Sequence, residues 1–272
     1  MKNRLNEIMD IATADSNIRG VVLYGSRALD AVQPDMYQDY DVYYIVNNVD
    51  MFSIEAFKDI GLMFVPSEIY HELFENERTY LMQFSDYSRV DLTICTHETF
   101  CQKHLGRGAM KCLLDKEGTL KEIGSDENSV NWVKPLDQQT YTDTCSEFFW
   151  EVQNMAKGLK RDQISFALFI RDVSLRDMLN RMVDAFIGMN HGFQVSVGTL
   201  GKYRRRYLPA EYYDLYRKTY NSNTDDDCWA SLFAMIHLFD VLARSIAQKY
   251  DYHYPHEKLE FVMQYLEFVS GK

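Results

Sequence analysis

The hydrophobic pattern changes its period part-way along the chain, and this change limits the folds that the chain can adopt. Up to about residue 95, short apolar runs of strand length alternate with polar loops. From Tyr141 onward, apolar residues recur every three or four positions, as in Phe148, Val152, Met155 and Leu159. We therefore predict an α+β protein, with an N-terminal mixed β-sheet domain flanked by helices and a C-terminal helical bundle domain.

The first half contains an opening helix, a second short helix and five strands. The opening helix ends at Asp15-Ser16-Asn17, and the second covers residues 55–60. The predicted strands cover residues 18–24, 40–46, 62–65, 80–84 and 89–94. Because the polar tetrad 85–88 suits a tight turn, we expect the last two strands to form an antiparallel hairpin.

The second half is predicted to be almost entirely helical. The stretch 117–135, rich in Gly, Ser, Asp and Asn, is typical of a linker, and we place the domains at 1–137 and 138–272. A long helical pattern over 164–189 ends at His191-Gly192. Thr224 is a predicted N-cap for another helix, which continues to residue 250. Phe148, Phe149 and Trp150 are assigned to the core of this domain, and stacking of one of them on a base or sugar is left open.

Composition narrows the classes of protein to consider. The 272 residues carry a net charge of −11, which disfavours nucleic acid and favours cationic ligands or metals. No apolar run reaches the ~18–20 residues of a membrane span, and the start, residues 1–7, lacks the apolar segment of a secretory signal. The five cysteines form no C-x-x-C pair, which is typical of reduced thiols. We therefore expect a cytoplasmic protein without membrane or nucleic-acid partners, and we favour a monomer.

Two carboxylates, Asp39 and Asp41, open the second predicted strand. Side chains two apart on a strand point to the same face, so these two should project together. Asp91 lies within another apolar strand and would join them if the two strands are neighbours. Three like charges at one place require a cation, and Mg²⁺ is the natural choice because it binds oxygen ligands and bridges carboxylates to phosphates. The pattern therefore predicts a Mg²⁺ site formed by Asp39, Asp41 and Asp91.

A Gly-Ser pair follows the first predicted strand. Gly25 permits close approach of the backbone, and the hydroxyl of Ser26 can hold phosphate oxygens together with N–H groups of the turn. Alone, this pair is a common pattern. Together with Asp-x-Asp at the start of the next strand, it becomes a specific pattern.

These motifs resemble the nucleotidyltransferase superfamily related to DNA polymerase β, and more narrowly its aminoglycoside 6-adenylyltransferase (streptomycin adenylyltransferase) family. The segments GSRA, QDYD, DLT, LLDKEG, EFFW, AKGL and SVG occur in the order expected for that family, and they extend over nearly the whole chain. The resemblance implies transfer of AMP from ATP to a hydroxyl of an aminoglycoside, specifically the 6-hydroxyl of streptomycin, with release of pyrophosphate. It places the active site between the two domains.

The resemblance also implies roles for individual residues. Asp39 and Asp41 would hold Mg²⁺ on the triphosphate, and Asp91 would be the general base, a metal ligand, or both in turn. Gly25, Ser26 and Arg27 of the GSRA segment would contact the nucleotide.

The helical domain would supply cations for the triphosphate. Lys157 and Lys202 match family positions associated with the nucleotide. The chain departs from the family where Thr199 stands in place of a second lysine after SVG, and the run 204–206 (Arg-Arg-Arg) is a possible replacement for that charge. An acidic cleft would attract a polycationic acceptor. Glu147, Glu151 and Asp162 are acidic residues of this domain, although no pattern selects them.

Two alternatives remain open at this stage. One is the same chemistry on another acceptor, either a different antibiotic or a protein hydroxyl, because a fold does not determine its acceptor. The other is a non-catalytic module that only binds a nucleotide. The presence of all three carboxylates argues against the second alternative.

Overall fold

The computed structural model describes residues 4–29, 32–33, 35–65, 76–120, 123 and 132–271. The chain divides into two compact units, Met1–Val130 and Asn131–Lys272. Of the predicted linker over 117–135, residues 121–122 and 124–131 lie outside the described part of the chain.

The first unit is built on a six-stranded mixed sheet with the order β3-β4-β5-β2-β1-β6. Its strands are β1 (Ile18–Tyr24), β2 (Tyr40–Val46), β3 (Leu62–Phe64), β4 (Glu77–Phe84), β5 (Arg89–Thr96) and β6 (Met110–Asp115). Its helices are α1 (Arg4–Ala14), α2 (Glu55–Lys58) and α3 (His97–Lys103). The central pair β2–β5 is parallel, and the other neighbouring strands are antiparallel.

Both faces of this sheet bury apolar side chains. On one face, Val42 and Leu92 belong to a core that includes Ile8 of α1 and Phe57 of α2. On the other face, a smaller core contains Phe100 of α3 and residues of β1, β2, β5 and β6. Because alternate residues of a strand point to opposite faces, the buried strands read as continuous apolar runs in the sequence.

The predicted elements of the first half are confirmed, and two further elements are present. The bounds of β1 and β2 agree with the prediction, and β4 and β5 form the expected antiparallel hairpin, although β4 begins at Glu77. Helix α3 and strand β6 were not predicted. Helix α3 is only seven residues long, and it starts where the side chain of Thr96 accepts a hydrogen bond from the N–H of Thr99. Strand β6 has no clear alternation, and it is stabilised by pairing with β1.

The second unit is helical, as predicted. Its helices are α4 (Gln138–Lys160), α5 (Ile164–Phe169), α6 (Arg176–Asn190), α7 (Arg204–Tyr207), α8 (Ala210–Lys218), α9 (Asp225–Tyr250) and α10 (His256–Ser270). The predicted helical stretch over 164–189 is one run that contains a π-helical segment, Ile170–Leu175, between α5 and α6. Segments of this kind often lie at functional sites.

The core of the second unit is formed mainly by α4, α6 and α9. The ring of Phe148 stacks on that of Phe239, with 3.8 Å between their centroids. The predicted N-cap is confirmed, since Thr224 and Asp227 form a reciprocal capping box at the start of α9. Phe148 and Phe149 are buried, but the assignment of Trp150 to the core is wrong, because its side chain is 66% exposed. Position 150 lies on the outer face of α4, because only the first two residues of the Phe-Phe-Trp run belong to the apolar face of the helix.

Helix α9 is long and apolar enough to cross a membrane by the criteria of length and composition, and it is the one such helix in the part of the chain that the structure describes. Residues such as Leu232, Leu238 and Leu242 are fully buried in the helical core. Of its most apolar window, 61% is buried. The central helix of a folded bundle has this same composition, because it is surrounded by apolar side chains on several sides.

Candidate active site

Strands β2 and β5 bring the predicted carboxylates together at one end of the sheet, where both strands begin. The two strands are parallel neighbours, and in their register Asp41 lies beside Asp91. Asp39 precedes β2 by one residue. The guanidinium of Arg89, at the start of β5, lies 3.7 Å from a carboxylate oxygen of Asp39 and 3.8 Å from one of Asp91. The condition under which Asp91 joins the other two carboxylates, that β2 and β5 are neighbours, is therefore met, and Arg89 is an additional charged member of the group.

Asp91 has the least satisfied environment of the three carboxylates. Its Oδ1 atom is buried and has no hydrogen-bond partner, since the approach of Arg89 is an ion pair too long for a hydrogen bond. Burial and the negative charge of Asp39 raise the pKa of Asp91, although the nearby Arg89 lowers it. A buried oxygen of this kind is costly unless a cation or a hydroxyl donor meets it. Asp91 therefore has an oxygen suited to accept a proton or to bind a metal.

Gly25 lies directly against Asp41. It begins a short 3₁₀ turn, Gly25–Ala28. Its φ of 71° is a left-handed backbone conformation that residues other than glycine rarely adopt. A Cβ atom added to Gly25 would overlap a carboxylate oxygen of Asp41. The glycine is therefore required both by the conformation of the turn and by the space that Asp41 occupies.

Ser26 and Arg27, the other two residues of the predicted nucleotide-binding turn, lie in different environments. Ser26 is half-buried within the turn. Arg27 stacks 3.9 Å from the ring centre of Tyr40 and donates hydrogen bonds to the carbonyl oxygens of Gln38 (2.8 Å) and Asp39 (3.1 Å). Its guanidinium therefore holds the backbone of the segment that carries Asp39.

The carboxylates have the donor chemistry for Mg²⁺ but are not arranged as a preformed metal site. Among the described residues, no group of three or more His, Cys, Asp or Glu side chains is assembled for a metal ion. Three observations nevertheless fit a cation at this end of the sheet. The three carboxylates offer oxygen donors, and the Oδ1 atom of Asp91 has no hydrogen-bond partner. In addition, the guanidinium of Arg89 already lies near the carboxylates of Asp39 and Asp91. A hard divalent cation binds such oxygen ligands.

A polar network on the same face of the sheet was missed by the sequence analysis. The hydroxyl of Tyr43 lies 3.1 Å from Nδ1 of His104, and Nε2 of His104 lies 2.7 Å from a carboxylate oxygen of Glu77. The ring of Tyr24, opposite Asp41 in the register, stacks on Tyr43 at 4.4 Å between centroids. Burial and the charge of Asp41 raise the pKa of Tyr24, so its hydroxyl stays protonated beside the carboxylates. The available sequence signal was a pair of polar residues two positions apart in each strand, namely Asp41 and Tyr43 in β2, Glu77 and Thr79 in β4, and Asp91 and Thr93 in β5.

Lys157 and Lys202 both belong to the helical unit. Lys157 is half-buried in the last turn of α4. Lys202 is exposed after the 3₁₀ turn Thr199–Gly201, and its Nζ atom lies 5.3 Å from the ring centre of Tyr203. Their predicted roles at the nucleotide stay predictions.

An acidic groove of about 630 Å³ lies on the helical unit, between α4 and the start of α6. Glu147 and Glu151 line it together with Asp177 and the exposed Trp150. Asp162, the third acidic residue considered from the sequence, is not among the residues that line it. Carboxylates beside an exposed aromatic ring form a surface that attracts cations.

Comparisons with known proteins identify the family of the chain. The sequence model of the family described as streptomycin adenylyltransferase matches residues 1–269. An aminoglycoside 6-adenylyltransferase from Bacillus subtilis (strain 168) is 30% identical over 260 residues, which cover 91% of this chain and 90% of that protein. Proteins of the same description from Campylobacter jejuni and Staphylococcus aureus are each 29% identical and cover 91% and 93% of this chain, and 88% and 93% of their own lengths.

A solved structure leads to the same family. The crystal structure of an aminoglycoside 6-adenyltransferase from Bacillus subtilis aligns with a TM-score of 0.50 and 25% sequence identity, covering 98% of this chain and 97% of that one. The mixed sheet followed by helices is therefore the fold of a known enzyme of this type. Since the family model covers nearly the full length, the chain belongs to the streptomycin adenylyltransferase family of enzymes.

Proposed function

We propose that this enzyme transfers AMP from Mg²⁺–ATP to the 6-hydroxyl of streptomycin and releases pyrophosphate. Membership of the family supports adenylyl transfer to an aminoglycoside. The finer assignments of metal, acceptor and hydroxyl group are part of the proposal. The observation that carries it is the parallel register of β2 and β5, which places Asp41 beside Asp91 at the end of the sheet where Gly25 begins its turn.

Asp39 and Asp41 are proposed to hold Mg²⁺, with Asp91 as a further ligand or as the base. When bound, the ion would neutralise charge on the triphosphate and help pyrophosphate to leave. Asp91 would accept the proton of the attacking hydroxyl, since its raised pKa makes it a better proton acceptor than an ordinary carboxylate. Gly25 and Ser26 would let phosphate oxygens approach the backbone of the turn, and Arg27 would hold Asp39 in place.

The helical unit would supply the remaining contacts. Lys157 and Lys202 are proposed to interact with the nucleotide through their charges. The acidic groove formed by Glu147, Glu151, Asp177 and Trp150 has the charge that a polycationic drug requires, which supports an aminoglycoside as the acceptor. With ATP as the donor, we place the reaction in the cytoplasm.

The test is a pyrophosphate-release assay with Mg²⁺–ATP and a panel of aminoglycosides, in which mass spectrometry detects an added AMP on each drug. We expect release with streptomycin, an AMP adduct on that drug, and loss of activity when EDTA removes the metal. An adduct on another aminoglycoside alone would replace the acceptor and keep the reaction. Activity that is unaffected by EDTA would contradict the metal assignment.

Gly25→Ala should reduce AMP transfer about a hundredfold, because the new Cβ displaces the Asp41 carboxylate and small displacements of catalytic groups have effects of this size. The measurement is the initial rate of pyrophosphate release with streptomycin. Gly106→Ala is a matched control, since Gly106 also has a positive φ of 76° but has no atom within 4 Å of the added Cβ. Equal losses in the two variants would mean that backbone strain, rather than the position of Asp41, causes the effect.

A further inference from the structure

The guanidinium of Arg89 lies among the three candidate carboxylates, and the function proposed above assigns it no role. In the register of β2 and β5, Asp41 lies beside Asp91. Arg89 precedes Asp91 by two residues, just as Asp39 precedes Asp41. Because residues two apart in an extended strand point to the same face, one cation and three carboxylates share the same side of the sheet, with Arg89 next to Asp39. The chain therefore places a positive charge inside the group that is proposed to bind a metal.

A single guanidinium spans two of these carboxylates. One terminal nitrogen of Arg89 lies 3.7 Å from Oδ2 of Asp39, and the other lies 3.8 Å from Oδ1 of Asp91. The side chain of Arg89 is 48% exposed, whereas those of Asp39 and Asp91 are 33% and 23% exposed. Arg89 is thus the most exposed member of this trio, and water can solvate its guanidinium if it moves away.

The contacts of Arg89 with these carboxylates are loose. Both distances exceed that of a hydrogen bond, and the Oδ1 atom of Asp91 that faces the guanidinium has no hydrogen-bond partner. By contrast, the buried Arg204 of the helical unit donates two hydrogen bonds of 2.7 Å to the carboxylate of Asp184. Arg89 is therefore held near Asp39 and Asp91 by charge rather than by directed bonds, and little is lost when it leaves them.

A metal ion bound to these carboxylates would need the space that Arg89 occupies. Mg²⁺ lies about 2.1 Å from its oxygen ligands. Because the nitrogens of Arg89 are only 3.7 and 3.8 Å from the nearest oxygens of Asp39 and Asp91, an ion placed between them would overlap the guanidinium. Two cations at such a distance also repel each other, most strongly where water is partly excluded. Arg89 and the ion therefore compete for the same oxygens.

From these observations we propose that Arg89 is an internal counter-ion, which occupies the place of the metal when none is bound and moves away from Asp39 and Asp91 when the metal binds. The proposal rests on the proposed function in one respect, namely that a metal binds at these carboxylates. Without the metal, Arg89 offsets the repulsion among three like charges. Because coupling between two ligands of one site is reciprocal, Arg89 lowers the affinity for the metal by the factor by which the metal weakens the contacts of Arg89.

The test is titration of the full chain with Mn²⁺ in the absence of nucleotide, with free Mn²⁺ measured by electron paramagnetic resonance. Arg89→Gln should bind Mn²⁺ at least fivefold more tightly than the unmodified protein, since couplings of this kind are typically about 5–150-fold. Arg107→Gln is the matched control, because it removes the same charge from an exposed arginine of the same unit, in the loop between α3 and β6. The control should bind Mn²⁺ within twofold of the unmodified protein.

A conservative variant and thermal unfolding separate competition from a merely structural role. Arg89→Lys keeps the charge and should bind Mn²⁺ more weakly than Arg89→Gln does. In EDTA, Arg89→Gln should unfold at a lower temperature than the unmodified protein, because the carboxylates have lost their counter-ion. Saturating Mn²⁺ should then raise the unfolding temperature of Arg89→Gln by more than that of the unmodified protein, because tighter binding to the folded state stabilises it more.

The outcomes distinguish this proposal from the metal assignment itself. Equal Mn²⁺ affinity of Arg89→Gln and the unmodified protein would overturn the competition and leave the metal assignment in place. Weaker binding by Arg89→Gln would overturn it in favour of a fixed role of Arg89 in building the site, and equal strengthening in Arg107→Gln would assign the effect to overall charge.

Asp41→Asn locates the ion in these titrations. It should weaken Mn²⁺ binding both in the unmodified protein and in the Arg89→Gln background. Binding that is unaffected by Asp41→Asn would mean that the ion lies elsewhere, and it would overturn the proposal. Binding by Arg89→Gln alone would support the proposal in its strongest form, whereas no Mn²⁺ binding by either protein would overturn the proposal and the metal assignment together.

Discussion

Replacing Asp41 by Asn should lower the rate of AMP transfer about a thousandfold or more. An amide keeps the shape of the side chain but removes the charge that we assign to metal binding. A metal at developing charge lowers the activation barrier by several kcal/mol, and about 1.4 kcal/mol corresponds to a tenfold change in rate. The measurement is the initial rate of pyrophosphate release with Mg²⁺–ATP and streptomycin, together with Mn²⁺ binding followed by electron paramagnetic resonance.

The folded structure should tolerate this change. Asp41 lies beside Asp91 in the register, so the substitution removes one of three like charges from this end of the sheet. We therefore expect thermal unfolding at or above the temperature of the unmodified protein. Asp59→Asn, at an exposed carboxylate of the same unit, is the control and should retain full activity. Near-normal turnover by Asp41→Asn would rule out its role at the metal.

Arg4→Ala should reduce the free energy of unfolding of the N-terminal unit by about 3 kcal/mol, which is the range expected when one partner of a buried ion pair is removed. Arg4 is 3% exposed and lies 3.8 Å from the ring centre of Phe84. It donates hydrogen bonds to Glu7 (2.7 Å), the carbonyl of Ile60 (3.0 Å) and Asp86 (3.0 Å). It therefore ties helix α1 to the turn of the β4–β5 hairpin.

The two units can be followed separately during urea unfolding. The three tryptophans, Trp132, Trp150 and Trp229, all belong to the helical unit, whereas far-ultraviolet circular dichroism reports on both. We expect Arg4→Ala to shift the dichroism transition and to leave the tryptophan transition in place. Arg19→Ala is the control, because its ion pair with Glu117 at 3.3 Å is partly exposed and should contribute less than about 1 kcal/mol. Similar shifts in both variants would contradict the special role of Arg4.

The ion pair between Arg4 and Asp86 predicts that the stability of the N-terminal unit depends on pH in the acidic range. Burial raises the pKa of Asp86, but hydrogen bonds from Ser88 and Arg4 and the charge of Arg4 outweigh it and bring the pKa to about 2. A carboxyl group whose pKa is lowered by folding stabilises the folded state above its ordinary pKa of 3.8, and this contribution is lost as the pH falls towards 2. Because Arg4→Ala removes the cation, its loss of stability relative to the unmodified protein should shrink over this interval.

The sequence by itself determined the local features of this protein. The bounds of β1 and β2, the capping box at Thr224 and the change from strand to helix periodicity depend on near neighbours in the chain, so they can be read from spacing. The proximity of Gly25-Ser26 to Asp39 and Asp41 could be expected for the same reason, because the turn follows β1 and the two carboxylates lie at the start of β2, the next strand. Asp91 could be proposed as a partner only on the assumption that its strand was a neighbour.

Only the tertiary structure decided which distant residues meet. The parallel register of β2 and β5 puts Asp41 beside Asp91, and it also brings Arg89 near Asp39, for which no sequence pattern existed. The buried position of Arg4, the exposure of Trp150 and the use of Arg27 to hold the Asp39 segment likewise depend on strand order and on packing between elements. These outcomes follow from contacts between residues that are far apart in sequence, and local periodicity carries no information about them.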